Sequence, residues 1–252
     1  MKTIRLPQVT IEQDNRTETD SALMVLGGRE PSPLWLSELA FRGEVWAVDR
    51  GIEACRRAGI IPRRLIGDCD SASAESWRWA EDNGVPAERY QSDKDLTDFQ
   101  LALDIFREKN KDRVKKIFLT GAWGGRFDHL WSLILSFLNF SSPHVPFCIA
   151  DEREGLVLME GPAEAAFTFA RRPKALSLLS FSDICAGVSI AGVRWPLNEV
   201  VLRLGFPYAI SNRLDGGQRV RAGCESGLLG FYWVISGADC VEPLFRRAAA
   251  AV

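Results

Sequence analysis

The chain changes its hydrophobic periodicity once, near Gly155, and that change restricts its architecture more than any other feature. Between Ala22 and Ala150, the short apolar runs ALMVLGG, EVWAVD, RRLIGD, VKKIFLTG and VPFCIAD alternate with stretches of helical length. Each run has strand length and is bounded by turn or charged residues. Strand–helix alternation of this kind predicts an α/β unit with a mostly parallel sheet and helices on both faces. Beyond Gly155 the helical spacing disappears until the last few residues. GLVLM, AFTFA, ALSLLSF, GVSIAGVRW, EVVLRLG, YAISN, QRVRA and GLLGFYWVIS are β-type runs separated by Gly, Pro, Asn and Asp. They predict a C-terminal all-β sandwich. The expected division is residues 1–152 for the α/β domain and 153–252 for the sandwich, across an acidic junction holding Gly155, Gly161 and Pro162. The first twenty residues are polar with a hint of alternation and receive no role. At 252 residues the chain is long enough to bury a sizeable core in one or two domains.

Two helices can be read in detail. In LTDFQLALDIF, Thr97 and Gln100 stand three apart in a capping-box pattern, and Phe99, Leu103 and Phe106 then recur on one face. DHLWSLILSFL is apolar nearly all round, which predicts a buried helix.

Composition narrows the function. Hydrophobic residues make up 46% and charged residues 25%, ordinary globular values. A formal net charge of −2 offers no attraction to nucleic acid or an anionic membrane. The apolar run from Leu130 is too short to span a bilayer, and the N-terminal stretch lacks the apolar core of a signal peptide. Six cysteines, at 55, 69, 148, 185, 224 and 240, form no CxxC pair. They are expected to be reduced thiols of a cytoplasmic protein. Two histidines, His129 and His144, are too few for a His-rich zinc site.

Chemistry-bearing residues gather in five clusters at the carboxyl ends of the expected strands, the edge at which open α/β sheets bind ligands. AVDRG places Asp49 at a strand end and Gly51 at a helix start. GDCDS sets Asp68 and Asp70 on either side of Cys69, and SDKDLTD sets Asp93, Asp95 and Asp98 around Lys94. TGAWGGRFDH is a glycine-rich turn ending in Gly125, Arg126 and Asp128, and IADE is the weakest of the five. Singly, each has a plain explanation as a cap, a turn or a solvated charge cluster. Together, a parallel sheet brings four acidic loops to one rim, where carboxylates repel unless a cation neutralises them. Oxygen donors without His or Cys favour a hard ion such as Mg2+. Magnesium beside a glycine turn and an arginine points to phosphate chemistry. The absence of GxxxxGK[ST] excludes a P-loop enzyme, and the absence of GxGxxG argues against a dinucleotide oxidoreductase. Haloacid-dehalogenase phosphatases carry their DxD on the first strand, and DxD sugar transferases do not predict the other clusters.

These motifs resemble the thiamin pyrophosphokinase family. GDCDS is similar to its GDxDS, DKDLTDFQLAL to its D-K-x-x-T-D-x-x-x-A-L, and GAWGGRFDH to its G-x-x-G-G-R-x-D-H. In the β region GVRWPL resembles its G-h-x-[YW]-P-L, and ISN the Ser-Asn that follows. The matches keep their order from about Ala22 to Ile235. The resemblance implies a Rossmann-like α/β domain followed by a β-sandwich, in a homodimer with sites between subunits. It implies transfer of pyrophosphate from ATP to the hydroxyethyl group of thiamin, releasing AMP. On the positions that match, Asp68, Asp70 and Asp98 would hold Mg2+, and with Asp49 they would form the catalytic set. ATP would be met by Asp49, Arg50, Gly51, Lys94, Asp95, Gly125 and Arg126. Thiamin would be met by Asp128, Trp195, Ser211 and Asn212, the last three from the partner's sandwich. One position departs: the family reads D-G-G where this chain has Asp49-Arg50-Gly51. Arg50 would add a phosphate contact or obstruct the nucleotide. Two alternatives therefore stand beside the main expectation. One is a pyrophosphokinase for another heteroaromatic alcohol such as a hydroxymethylpterin; the other is a silent thiamin- or nucleotide-binding homologue.

Overall fold

The computed structural model describes residues 2–13, 21–40, 43–68, 70–90, 95–110, 116–140 and 147–235. In chain order the elements are β1 (Lys2–Arg5), β2 (Val9–Gln13), β3 (Ser21–Val25), α1 (Pro33–Ala40), β4 (Glu44–Val48), α2 (Gly51–Ala58), β5 (Arg64–Gly67), α3 (Ala74–Asp82), β6 (Ala87–Arg89), α4 (Asp98–Lys109), β7 (Lys116–Thr120), α5 (Phe127–Phe140) and β8 (Phe147–Ala150). Seven strands follow: β9 (Glu154–Glu160), β10 (Ala163–Phe169), β11 (Ala175–Ser180), β12 (Ile184–Ala191), β13 (Leu197–Arg203), β14 (Arg219–Cys224) and β15 (Leu228–Val234).

Strands β8-β7-β3-β4-β5-β6 are parallel, as the strand–helix alternation requires. The sheet does not stop there. β9 adds antiparallel to β8, and β15 and β11 follow, giving nine strands in the order β11-β15-β9-β8-β7-β3-β4-β5-β6. A second sheet of six antiparallel strands, β1-β2-β10-β14-β12-β13, packs on it as the other half of the sandwich. The hydrogen bonds thus cross the division expected at residue 152 in two places. β9 continues the α/β sheet, and β2, far upstream, pairs with β10. The N-terminal alternation is a real hairpin: Ile4, Val9 and Ile11 are buried in the sandwich core.

Period-2 alternation sorts the side chains of the long sheet onto two faces. On β3, Leu23 and Val25 join a core with α1, α2, α3 and the sandwich, where Phe167 stacks on Phe231 at 3.8 Å between ring centroids. Ala22 and Met24 face the other way, into a core with α4 and α5. β9 repeats the pattern, with Val157 and Met159 on the first face and Leu156 and Leu158 on the second. α4 starts at the expected capping box: Gln100 N–H donates to Thr97 Oγ1 at 3.3 Å, and Thr97 N–H to Gln100 Oε1 at 2.8 Å. A cap of this kind is worth about 1 kcal/mol.

Two expectations are corrected. α5 is not buried all round: Leu133, Ile134 and Phe137 face the sheet, while Phe127, Trp131 and Leu135 are 76%, 45% and 41% exposed. One sheet face can cover only one side of a helix. YAISN is not a strand; it makes a single bridge, Leu176 to Asn212, because Ser211 adopts a left-handed φ of 60° that breaks the ladder. The helix expected in the last few residues lies outside the described residues.

Candidate functional site

Neighbouring parallel strands deliver their following residues to one edge, and β4 and β5 do so with Val48 opposite Ile66. Asp49 and Asp68 come next on each chain segment. Asp49 N–H donates to Ile66 O at 2.7 Å, and its φ of 53° turns the carboxylate toward the β5 loop. Two glycines permit this. A Cβ on Gly51 would lie 1.8 Å from Val25 O, so only glycine lets α2 begin against β3; one on Gly67 would press on Asp49 Cα at 3.2 Å. Asp68, Asp49 and Asp70 then offer one carboxylate oxygen each, all within 4.8 Å of one another. Asp70 N–H donates to Asp68 Oδ1 at 3.1 Å, and Ser71 donates its hydroxyl to Asp49 Oδ1.

Asp98 opens α4, but Thr97 is that helix's cap, so capping does not account for the aspartate. Its charge acts on Asp49. Burial pushes the Asp49 carboxyl up, and the charges of Asp98, Asp68 and Asp70 add to this, against a hydrogen bond from the Arg50 backbone N–H; the result is about 6. A half-buried carboxyl held that high reports a rim with more negative charge than its surroundings neutralise. A donor set made only of carboxylate oxygens, on short loops, fits a hard divalent cation.

Arg50 is exposed, its Cβ resting against Gly27. On the other side of β3, the turn after β7 is fastened to the β3 loop by Gly28 N–H to Gly121 O at 2.6 Å and Arg29 N–H to Trp123 O at 2.5 Å. This leaves Gly125, Arg126 and Asp128 exposed. Arg126 grips Asp128 with both arms of its guanidinium, Nε to Oδ1 at 3.0 Å and Nη2 to Oδ2 at 2.5 Å. The hydrogen bond raises the arginine and holds the Asp128 carboxyl below its usual range. Asp95 is exposed at the approach to α4, and Lys94, with Asp93 and Cys69, lies outside the described residues. The fifth cluster serves the architecture: buried Asp151 accepts from Arg29 Nε at 2.6 Å and from the backbone of Arg153 and Glu154.

Trp195, Ser211 and Asn212 meet on the sandwich. Asn212 Nδ2 donates to Trp195 O at 2.7 Å and its Oδ1 accepts from Trp195 N–H at 3.2 Å, while Ser211 N–H donates to Ser177 Oγ at 3.2 Å. The Trp195 ring is 53% exposed and carries the Arg194 guanidinium 5.1 Å from its centroid. It borders a groove of about 220 Å³ lined by Leu176, Leu178, Leu197, Tyr208, Ile210 and Asn212. Leu176 lies on β11, six strand spacings from β4 in the same sheet. At about 4.7 Å per spacing that is roughly 28 Å along the sheet.

The structure therefore gathers the acidic residues on one rim and the aromatic groove on another region of the same chain. Sequence reading passed over Ser71, visible as the serine closing GDCDS, and Arg194, visible only as the residue before Trp195.

The comparisons bear on both regions. A family model described as thiamin pyrophosphokinase, catalytic domain, matches residues 42–149, and one described as thiamin pyrophosphokinase, vitamin B1 binding domain, matches residues 167–229. The thiamine pyrophosphokinase of Bacillus subtilis (strain 168) is 30% identical over 167 residues, 66% of this chain and 76% of that protein. The crystal structure of a Bacillus subtilis thiamine pyrophosphokinase superposes with a TM-score of 0.74 at 26% identity, covering 86% of this chain and 100% of its own. That of Geobacillus thermodenitrificans gives 0.70 at 26%, covering 87% and 99%. Yeast thiamin pyrophosphokinase, at 14% identity and 0.69, covering 87% and 88%, shares the fold.

Proposed function

This chain belongs to the thiamin pyrophosphokinase family, and we propose that its acidic rim and its aromatic groove act together on ATP and thiamin. The enzyme is an ATP-dependent diphosphotransferase that converts thiamin to thiamin diphosphate with release of AMP. The observation that carries the residue assignment is the convergence of Asp49, Asp68 and Asp70 at the ends of β4 and β5, with Asp98 close enough to act on Asp49.

Asp68, Asp70 and Asp98 would hold Mg2+, which when bound neutralises phosphate charge and fixes the ATP phosphates. Arg126, on an exposed turn, would exchange Asp128 for a phosphate oxygen, and Arg50, Gly51, Lys94, Asp95 and Gly125 would meet the nucleotide. Asp49, held at Oδ1 by the Ser71 hydroxyl, would take the proton of the thiamin hydroxyl on its carboxylate. The hydroxyl oxygen then bonds the β-phosphorus as its bond to the α–β bridging oxygen breaks, and AMP leaves. Positioning and charge neutralisation, rather than covalent help, carry such a transfer. The Trp195 face, which already attracts the Arg194 cation, would receive the thiazolium, with Asp128 as the opposite charge and Ser211 and Asn212 at the edge.

Separation of groove and rim by about 28 Å within one chain supports a homodimer whose sites lie between subunits. Two exposed apolar surfaces fit that arrangement: Phe127, Trp131 and Leu135 on α5, and Trp195, Phe206, Tyr208 and Ile210 on the sandwich. Buried, unpaired Cys55, Cys148, Cys185 and Cys224 suit a reducing, cytoplasmic setting. Among the described residues no helix is long and apolar enough to cross a membrane. The test is direct. Purified protein with Mg-ATP and thiamin releases AMP and thiamin diphosphate; ADP release, or turnover with a pterin alcohol instead of thiamin, contradicts the reading.

A further inference from the structure

We infer that Glu53, which lies outside the acidic rim, is a positioning residue that sets the loop carrying Asp68 and Asp70; the inference rests on reading that loop as metal-binding. Glu53 stands one turn after Asp49 on α2, and its carboxylate reaches the next strand–helix connection. Oε1 accepts from Ser73 N–H at 2.7 Å, and Oε2 accepts from Ser76 Oγ at 2.7 Å. Ser73 is also the N-cap of α3, its Oγ accepting from Ser76 N–H at 3.2 Å. The β4–α2 segment thus fastens the β5–α3 loop at two rungs, by Asp49 before the helix to Ser71 and by Glu53 on it to Ser73 and Ser76.

The rim gives such a fastening work to do. Asp68 and Asp70 repel Asp49, so in the absence of a cation the loop is driven outward. Charge-assisted hydrogen bonds from Glu53 oppose that movement before any cation arrives. Without them the loop must be ordered at the expense of cation binding. The reaction itself is untouched, because the Glu53 hydrogen bonds go to Ser73 and Ser76 and not to the rim carboxylates. A second tie between the same helices joins Arg56 to Glu75 at 2.5 Å, and its exposed member Glu75 serves as an internal control, since Arg56 itself acts on the Glu53 carboxylate.

Mn2+ titration of the nucleotide-free protein, read by electron paramagnetic resonance, tests the inference. Glu53→Ala weakens Mn2+ binding about tenfold, the size of effect expected when a supporting hydrogen bond behind a metal site is lost. Glu53→Gln, which keeps an acceptor for Ser73, restores most of it, and Glu75→Gln, which removes the exposed tie to Arg56, leaves it unchanged. In turnover assays Glu53→Ala raises the metal concentration for half-maximal rate while kcat at saturating metal stays near wild type. If Glu53→Ala does not fold, Ser76→Ala removes one rung and weakens Mn2+ about threefold. Unchanged Mn2+ affinity in folded Glu53→Ala or Ser76→Ala, or equal weakening in Glu75→Gln, overturns the inference alone. A wild-type protein that takes up no Mn2+ overturns the metal reading and the inference with it.

Discussion

Ser71 donates its hydroxyl to Oδ1 of Asp49, joining two residues 22 positions apart across the ends of adjacent parallel strands. That bond makes the two strand-end loops one unit. Asp49 is thereby held by a neighbour's hydroxyl while its proton affinity is raised by burial and by three other aspartates.

The raised Asp49 carboxyl predicts a pH-dependent stability in the cation-free protein. Its value of about 6 stands above the ordinary 3.8, so the folded state binds the proton more tightly than the unfolded one. The associated stability is fully present below about pH 4 and is lost as pH rises through about 6. Asp49→Asn removes the penalty. In chelator it is more stable than wild type at pH 8 by about 1–2 kcal/mol, allowing for solvent screening, and the gap closes by pH 4. Urea midpoints across that range check it; a gap independent of pH defeats it.

Asp70 is exposed, so Asp70→Asn changes stability by no more than about 0.5 kcal/mol. Its carboxylate is nevertheless one of the three converging at the rim. Metal-dependent turnover falls roughly 100-fold or more, as loss of a charge at the reacting phosphates requires. Steady-state assays at several metal concentrations, alongside thermal melts, separate the two effects. Full activity in a folded Asp70→Asn protein removes Asp70 from the metal set.

The α/β alternation, the capping box at Thr97 and the loops that form the acidic rim were all legible in the sequence, because each depends on local spacing. Long-range pairing was not. β1 and β2 look like an unassigned polar start because the strand that ties their hairpin to the sandwich, β10 beside β2, lies more than 150 residues away. α5 reads as buried because its apolar residues surround it, and only tertiary contact decides which face is covered. Ser211 could not be seen to leave the strand pattern, since its left-handed backbone follows from the bridge and hydrogen bonds around it. The Glu53 fastening connects two helices through a serine cap, and nothing in GIEACRRA marks it.

Trp195 is held by its backbone to Asn212 while its ring stays exposed, so truncation removes a surface and not a core residue. Trp195→Ala raises the thiamin KM about two- to thirtyfold, the range of an exposed to partly desolvated cation–π contact. The ATP KM and the melting temperature stay near wild type. Trp195→Phe retains part of the effect. An unchanged thiamin KM in Trp195→Ala rules out the ring as the thiazolium platform.

The last expectation concerns the face of α5. Phe127 and Trp131 stack at 6.2 Å between centroids, and Leu135 continues the stripe one turn on, all exposed in the single chain. In the proposed homodimer this apolar stripe, beginning one residue after Arg126, would meet the sandwich groove of the second copy, where Trp195 and Ile210 are exposed. Trp131→Asp puts a charge into that contact while leaving the sheet-facing Leu133, Ile134 and Phe137 intact. The variant sediments as a folded monomer, and because groove and rim of one chain are about 28 Å apart, it loses turnover with the dimer. Wild-type activity from a Trp131→Asp monomer would place the complete site within one chain.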